Sequence, residues 1–383
     1  MRIAYVCTDP GIPCFGTKGA SIHVQEMLRA FVSRGAEVTL ISPNLSGTVP
    51  ADLRAVRHVA LSGLPKGDRA ARERALIELN GAVEAALIAQ GPFDMVYERH
   101  ALFAHAAMEW ASQSGIPGIL EINAPLIEEQ QRHRSLALPS EAEASARRAI
   151  TAAETVSAVS PEVGRYARSL GSLNVRVIPN AVNPARFPAR QPAEGPFTVG
   201  FLGTLKPWHD VATLIDAFAL LRAGPAPDAR LLIVGDGPER AGYEARLAAL
   251  GLAHAAEFTG ALGAAEVPEA LSRMHVAAAP YSGAQEFYFS PLKLYEYMAA
   301  GLPVVASRVG HLDEVVAHGR TGLLCPPDDA DALAAAFTRL AEAPDMRARL
   351  GRTARAEVLA HHTWDNVAAQ IFRCAGFFMA EAA

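Results

Sequence analysis

The chain has 383 residues, more than one hydrophobic core usually supports, so two domains are expected. Half of the residues are hydrophobic and a fifth are charged, which is typical of a folded globular protein and excludes a disordered one. The formal net charge of −5, with no basic stripe, argues against a nucleic-acid-binding protein.

The N-terminal run MRIAYVC is too short for a signal peptide and is typical of a buried strand. No uninterrupted apolar run reaches the roughly 18 residues of a membrane span, so at most a peripheral membrane contact is expected. The four cysteines have no metal-ligand spacing and are too sparse for a disulfide framework. We therefore expect a cytoplasmic protein without a metal site.

In the first half, short β-branched runs alternate with longer segments of helical period. Strands are predicted at 2–7, 38–42, 56–61, 94–98, 118–122, 156–159 and 175–179. Helices are predicted at 20–33, 69–90, 102–114 and 140–153. Such alternation predicts a parallel sheet that is covered by helices on both faces.

A glycine-rich loop, GIPCFGTKGAS at 11–21, follows the first predicted strand and opens a helix. Glycines permit a ligand to approach the backbone closely, although such a loop is a weak signal alone. Lys18 can contact a phosphate group or the acceptor substrate. The alternative is an ordinary mobile lysine. His23, one turn into the helix, can simply pack.

Polar residues also end two later strands of this half. Glu121 and Asn123 share one side of their strand because side chains alternate faces. They can point together into a cleft at the carboxyl ends of the strands, where open α/β sheets bind ligands. The alternative is a polar pair that satisfies its own turn. Arg99 and His100, at the end of a neighbouring strand, are further candidates for the cleft.

A turn-rich linker, NPARFP at 183–188 followed by QPAEGP at 191–196, separates the halves. Beyond it, strands predicted at 197–202, 230–234, 275–280, 303–306 and 322–325 alternate with helices. Two such series predict an α/β protein with two Rossmann-like domains that face each other across a cleft. Their expected bounds are 1–187 and 188–362, with a C-terminal helix at 363–383 that packs back towards the first domain.

The segment at 289–301 carries the strongest local signal for a binding site. Ser290 is a good N-cap and Pro291 suits the first helical position, so a helix is predicted to begin there. The unpaired N–H groups of its first turn and the charge of Lys293 suit a diphosphate. Glu296 follows on the same face, where its carboxylate can accept two hydrogen bonds from ribose. The alternative is a capped helix with a surface Lys–Glu pair.

The run FSPLKLYEYMAAGLPVVA at 289–306 closely resembles the donor-binding signature of family 4 retaining glycosyltransferases, which have the two-domain GT-B fold. IPNAVN at 178–183, LIVGDGP at 232–238 and EFTG at 257–260 are similar to further landmarks of that family, in the same order. The resemblance extends over nearly the whole chain. It implies transfer of a hexose-type sugar from a UDP- or GDP-sugar to a hydroxyl of a glycan, glycolipid or small molecule, without a cofactor.

This resemblance implies a role for each part of the site. Glu296 would hold the donor ribose, and the loop at 287–292, with Ser290, Pro291 and Leu292, would present N–H groups to the diphosphate and the donor sugar. The nucleobase would lie near Gly260 and Leu262. The loop residues near the donor phosphates and the acceptor would be Gly16, Lys18, Gly19 and Ala20.

The chain departs from the family pattern after Gly203. Thr204 and His209 stand near positions where an arginine and a lysine are usual. Lys206 can supply the missing charge, or can be a solvated loop lysine, and His209 can contribute if it is protonated.

Two further departures concern the sugar end of the site. Tyr288 stands where the family commonly has the first of two glutamates. Glu286, two positions earlier, reaches the same space if the loop bulges and is otherwise a surface residue. Asn123 takes the position of a histidine that touches the donor sugar in many relatives.

Retaining transfer of this type needs little side-chain base chemistry, because the leaving diphosphate is thought to take the acceptor proton. The residues expected to position the reactants and stabilise charge are Asn123, Glu121, Lys206 and Lys293. Two alternatives stay open. A nucleotide-sugar epimerase of similar fold would isomerise the donor without an acceptor, and a catalytically silent nucleotide-sugar-binding protein would neither hydrolyse nor transfer it.

Overall fold

A computed structural model describes residues 1–63, 65, 67–189, 193–284 and 286–377. The chain divides into two compact units. The first comprises Met1–Asn180, Tyr288–Ser290 and the chain from Trp364 onward, and the second comprises Ala181–Phe287 and Pro291–Thr363. Residues 191 and 192 of the predicted linker and 378–383 of the predicted C-terminal helix lie outside the described residues.

The described part of the first unit contains a seven-stranded parallel sheet. Its strands are β1 (Arg2–Cys7), β2 (Glu37–Ser42), β3 (Arg57–Ala60), β4 (Met95–Arg99), β5 (Gly118–Ile122), β6 (Thr155–Ala158) and β7 (Val175–Val177). Their order in the sheet is β3-β2-β1-β4-β5-β6-β7. Because β4, β5 and β6 are buried along their whole length, the sheet is covered on both faces, as the sequence predicts.

Helices connect these strands. They are α1 (Gly19–Ser33), α2 (Arg69–Gln90), α3 (Ala106–Gln113), α4 (Leu126–His133), α5 (Pro139–Ala152) and α6 (Pro161–Ser169). The helix predicted at 102–114 begins late because Phe103 has a φ of +67°, which a right-handed helix excludes. The side chain of Asn80 fixes this turn, since its amide nitrogen donates to the Phe103 carbonyl and its oxygen accepts from the N–H of Ala106.

The second unit has a six-stranded parallel sheet in the order β10-β9-β8-β11-β12-β13. Its strands are β8 (Thr198–Leu202), β9 (Arg230–Val234), β10 (Ala256–Gly260), β11 (Val276–Ala279), β12 (Val304–Ser307) and β13 (Gly322–Cys325). Of these strands, β10 is the one that the sequence does not predict. This edge strand carries the polar residues Glu257 and Thr259, and its pairing with β9 shifts register between Phe258 and Gly260.

The helices of the second unit are α7 (Val211–Ala223), α8 (Arg240–Ala249), α9 (Val267–Ser272), α10 (Leu292–Ala299), α11 (Leu312–Val315), α12 (Ala330–Glu342) and α13 (Pro344–His361). The last helix, α14 (Trp364–Cys374), belongs to the first unit. There Arg34 donates two hydrogen bonds of 2.7 Å to Asp365, and the rings of Phe31 and Phe372 stack at 5.4 Å. Within the described ranges, no helix combines the length and the apolarity that crossing a membrane requires.

Candidate functional site

Lys293 is a buried cation on the first turn of α10. Its side chain is only 8% exposed, and its Nζ lies 4.3 Å from the ring centre of Phe201 and 5.3 Å from that of Tyr281. Within the described part of the chain, Nζ has no hydrogen-bond partner. Burial lowers the pKa of Lys293 to about 7. The alternative of a surface Lys–Glu pair is therefore wrong, because the amine is buried, while its contact with an anion stays a prediction.

The helix α10 begins at Leu292, later than predicted. Its N-cap residue is Pro291, which makes no side-chain capping hydrogen bond. The hydroxyl of Ser290 instead accepts a hydrogen bond of 2.9 Å from the backbone N–H of Asn180, whose side chain donates to the Ser290 carbonyl at 2.7 Å. The N-cap position predicted for Ser290 is occupied by Pro291 instead. Pro291, the N-cap residue, has no side-chain acceptor to offer the N–H groups of the first turn of α10.

Glu296 is held by an arginine that the sequence analysis did not identify. Nη1 of Arg186 lies 3.2 Å from Oε1 of Glu296, and Nη2 donates to the carbonyl of Ala264 at 2.9 Å. Both partners of this ion pair are mostly buried. Arg186 therefore fixes the carboxylate that the resemblance assigns to the ribose.

The loop after β8 holds two of the predicted charge-bearing residues. Nδ1 of His209 lies 2.6 Å from the carbonyl of Thr204, so this nitrogen carries the proton. Burial, and then the charge of Lys293, lower the pKa of His209 to about 3. This direction disfavours a charge on His209, and its role towards a donor stays a prediction. Lys206 is partly exposed, with Nζ 5.7 Å from the ring centre of Trp208.

Glycines bring the carboxyl ends of β8, β9 and β10 together. Gly203 has a φ of +146°, and a Cβ on it would lie 3.0 Å from Nζ of Lys293. A Cβ on Gly235 would lie 2.0 Å from the carbonyl oxygen of Gly203, and the N–H of Gly235 donates to the Gly260 carbonyl at 2.9 Å. Leu262 is half-buried in the loop that follows. Nucleobase contacts of Gly260 and Leu262 stay predictions.

In the loop before α10, Tyr288 is buried and Glu286 is exposed. Tyr288 is 7% exposed, lies in the first unit, and donates its hydroxyl to Glu129 at 3.2 Å. Glu286 is exposed. The structure thus shows Tyr288 bound to a carboxylate of its own unit, while the roles of Tyr288 and Glu286 towards a donor stay predictions.

In the first unit, four predicted residues form one buried cluster. Glu121 lies 2.9 Å from Nε2 of His23 and 3.2 Å from Nη1 of Arg99, and it accepts a hydrogen bond of 2.9 Å from Asn123. Nη1 of Arg99 lies 3.0 Å from Nδ1 of His23, which must accept because a guanidinium only donates. Burial lowers the pKa of His23, and an imidazole that accepts at Nδ1 is the neutral form. Glu121 therefore holds the side-chain amide of Asn123, while the roles of both residues in catalysis stay predictions.

A cavity of about 610 Å³ opens beside this cluster, within the first unit. Asn123, Arg99, His100 and Ala20 are among the residues that line it. Gly16, Lys18 and Gly19 lead into α1, and Lys18 is exposed. A Cβ on Gly16 would lie 2.8 Å from Cγ of Pro13, which explains the glycine there. We call this space the first-unit cavity.

Other residues of the cavity wall escaped the sequence analysis. They include Arg72, Glu129 and Arg134. Arg72 carried a usable signal, because it lies in the first turn of the predicted helix 69–90, where the helix dipole disfavours a cation. No local sequence signal marks Glu129, Arg134 or the distant Arg186, since only tertiary contacts bring them to a site.

Comparisons with known proteins cover both units. A family model described as "Glycosyltransferase Family 4" matches residues 17–186, and one described as "Glycosyl transferases group 1" matches residues 196–343. Glycogen synthase of Mycobacterium tuberculosis is 27% identical over 98% of this chain and 95% of its own length. Phosphatidyl-myo-inositol mannosyltransferase of Mycolicibacterium smegmatis is 39% identical over 54% of this chain and 52% of its own length.

Solved structures share the fold. The crystal structure of HepE from Anabaena in complex with UDP-glucose superposes with a TM-score of 0.70, at 19% identity, over 97% of this chain and 98% of that one. At such identity the likeness shows the fold alone, and that fold is the GT-B arrangement of two Rossmann-like domains.

Proposed function

Because this chain belongs to glycosyltransferase family 4, we propose that it transfers a hexose-type sugar from a UDP- or GDP-sugar to a hydroxyl acceptor with retention of configuration. The observation that carries this proposal is the buried amine of Lys293 at the start of α10, which has no hydrogen-bond partner among the described residues. An isolated cation of this kind is costly to bury, and a diphosphate would compensate that cost.

The donor is oriented by the carboxylate of Glu296, which accepts hydrogen bonds from the ribose while Arg186 holds it. In the transfer step, the bond between the anomeric carbon and the diphosphate oxygen breaks, and the acceptor oxygen bonds to that carbon on the same face. The acceptor proton passes to the leaving diphosphate. Lys293 and the helix start stabilise its charge, with Lys206 as a second cation and no metal ion in the scheme.

The acceptor binds in the first-unit cavity in this proposal, where the side chain of Asn123 offers hydrogen bonds to its hydroxyl groups. UDP-glucose in the HepE structure supports a UDP-sugar as the first donor to test. Purified protein should be screened with UDP- and GDP-sugars by thermal shift, and the products identified by mass spectrometry. Isomerisation of a donor without any acceptor would favour an epimerase, and neither hydrolysis nor transfer would indicate a silent binding protein.

Glu296→Ala is expected to weaken donor binding by about 10- to 100-fold, because hydrogen bonds to a charged group are lost. Titration calorimetry with UDP and GDP measures the effect. The matched control is Glu357→Ala, which removes an exposed ion pair with Arg320 in the same unit and should leave binding unchanged. Equal affinities in the wild type and Glu296→Ala would contradict the assignment of the ribose contact.

A further inference from the structure

The loop at 287–292, here called the donor loop, leads into α10 and has residues in both units. Its first residue, Phe287, belongs to the second unit, the segment Tyr288–Ser290 belongs to the first, and the chain returns to the second unit at Pro291. The proposed function places the donor diphosphate at the helix start that follows. A loop that served the second unit alone would not need three residues in the first, so these residues are candidates for a further role.

The first-unit segment of the donor loop is anchored by burial and by hydrogen bonds. Tyr288 is part of the hydrophobic core of the first unit, and Phe289 packs against that core. The hydroxyl of Tyr288 donates to Oε2 of Glu129 at 3.2 Å. Ser290 is held by both hydrogen bonds from Asn180. The segment is therefore fixed at its first and its last residue.

The hydroxyl of Tyr288 donates to a charged acceptor. Burial, and then the charge of Glu129, raise the pKa of Tyr288, so the phenol keeps its proton at neutral pH and can donate it. Glu129 lies in the first turn of α4, where the helix dipole favours a carboxylate. It also lines the first-unit cavity. Because hydrogen bonds to charged acceptors are stronger than those between neutral groups, this bond is suited to hold the Tyr288 ring in one place.

Both ends of the segment lead to Lys293. On one side, the ring of Phe287 packs edge-on against that of Tyr281, with 4.8 Å between the ring centres, and the ring centre of Tyr281 lies 5.3 Å from Nζ of Lys293. On the other side, Lys293 follows Ser290 by three residues and lies on the first turn of α10. A displacement of Tyr288 would therefore reach the amine through the ring contacts of Phe287 and through the helix start.

We propose that Tyr288 is a positioning residue for Lys293, and that its hydrogen bond to Glu129 sets the place of the amine at the donor diphosphate. This inference rests on the proposed function and deepens it, because it gives residues of the first unit a part in donor binding. Tyr288 acts through Lys293 in this proposal and does not contact the donor. Since Glu129 also lines the proposed acceptor site, that cavity and the donor loop share this residue.

Tyr288→Phe and Glu129→Leu each remove the hydrogen bond, and each is expected to weaken binding of UDP or GDP to the full chain by about 3- to 10-fold. Titration calorimetry with the nucleotide that the donor screen selects measures the affinities. Tyr288→Phe keeps the buried ring, so its thermal unfolding should stay close to that of the wild type. The double variant Tyr288→Phe/Glu129→Leu should lose no more affinity than either single variant, because the same bond is removed in each.

A second set of variants tests whether Tyr288 acts through the amine. In a Lys293→Met background, Tyr288→Phe should weaken nucleotide binding no further, since there is no amine left to position. A merely structural role of Tyr288 would lower the affinity by the same factor in both backgrounds. Glu129→Gln keeps a carbonyl oxygen that can accept from the Tyr288 hydroxyl, so it should retain most of the affinity that Glu129→Leu loses.

The controls are Glu128→Ala, in the same turn of α4 but not among the residues that line the cavity, and Tyr166→Phe, on a ring that packs against the same core. Both should bind the nucleotide like the wild type. Losses confined to Tyr288→Phe and Glu129→Leu, and absent in the Lys293→Met background, support the inference. Wild-type affinity in Tyr288→Phe, equal losses in the two controls, or additive losses in the Lys293→Met background overturn it.

Failure of this inference is distinguishable from failure of the proposed function. A wild type that binds a nucleotide sugar, with Tyr288→Phe binding it equally well, would refute the positioning role and leave the donor site standing. A wild type that binds neither UDP- nor GDP-sugars would refute the proposed donor site, and the inference with it.

Discussion

Lys293→Met is expected to lower kcat/KM for the sugar donor by about 10²- to 10³-fold, since it removes a preorganised positive charge that the proposed mechanism places at the leaving diphosphate. The same substitution is expected to raise the free energy of unfolding by on the order of a few kcal/mol. A methionine can still pack against Phe201 and Tyr281, and it removes a buried amine that has no hydrogen-bond partner among the described residues. Loss of activity with gain of stability distinguishes a binding cation from a structural one.

The stability gain should depend on pH. Burial lowers the pKa of Lys293 from 10.5 to about 7, so the unfolded chain binds more protons than the folded chain between these values. The free energy of unfolding therefore rises with pH across that window because of this group, and the full cost of charging the buried amine is present below pH 7. Lys293→Met removes this slope, so its advantage over the wild type should shrink from pH 7 towards pH 10.

Denaturant unfolding at pH 6.5, 8 and 9.5 measures the difference in the free energy of unfolding between Lys293→Met and the wild type. Lys206→Met is the comparison, because its partly exposed amine should change stability little at any of these pH values. A Lys293→Met variant less stable than the wild type at pH 6.5 would show that the amine has a stabilising partner. Undiminished donor turnover in Lys293→Met would overturn its proposed role.

The sequence predicts the fold well where one strong local signal acts. The bounds of β5 and α2 follow the prediction to the residue, since a continuous buried run defines the first and Asp68 caps the second, accepting from the N–H of Ala71 at 3.2 Å. The edge strand β10 is half polar and has no such run. Phe103 has no local reason to adopt a positive φ, because the contact that fixes it comes from Asn80.

In the candidate site, too, features with a local sequence signal are predictable and features fixed by long-range contacts are not. The position of Lys293 at the start of a helix is local and predictable, but its burial depends on Phe201 and Tyr281 from other strands and loops. Ser290 has the local chemistry of an N-cap and serves Asn180 instead, 110 residues away in the chain. Arg186 reaches Glu296 over the same separation. Long-range partners of this kind determine which polar residues of a motif form hydrogen bonds within the protein.

Glu121→Ala is expected to lower the free energy of unfolding by about 3–5 kcal/mol, because it leaves Arg99 buried without its counterion. Burial alone would raise the pKa of Glu121, but contacts with His23 and Arg99 lower it to about 2. A carboxylate with a lowered pKa contributes stability above its unfolded pKa and loses it as the pH falls towards the folded value. The wild type should therefore lose this contribution between about pH 4.5 and pH 2.

The matched control is Glu109→Ala, which breaks an exposed ion pair with Arg148 in the same unit and should cost less than about 1 kcal/mol. Denaturant unfolding at pH 7 compares the two variants. The double variant Arg99→Met/Glu121→Leu should recover much of the lost stability, since it leaves no unpaired charge. It should not recover acceptor binding, because Asn123 loses the carboxylate to which its amide donates. A double variant as unstable as Glu121→Ala would mean that packing around Glu121, and not the charge left on Arg99, determines the loss.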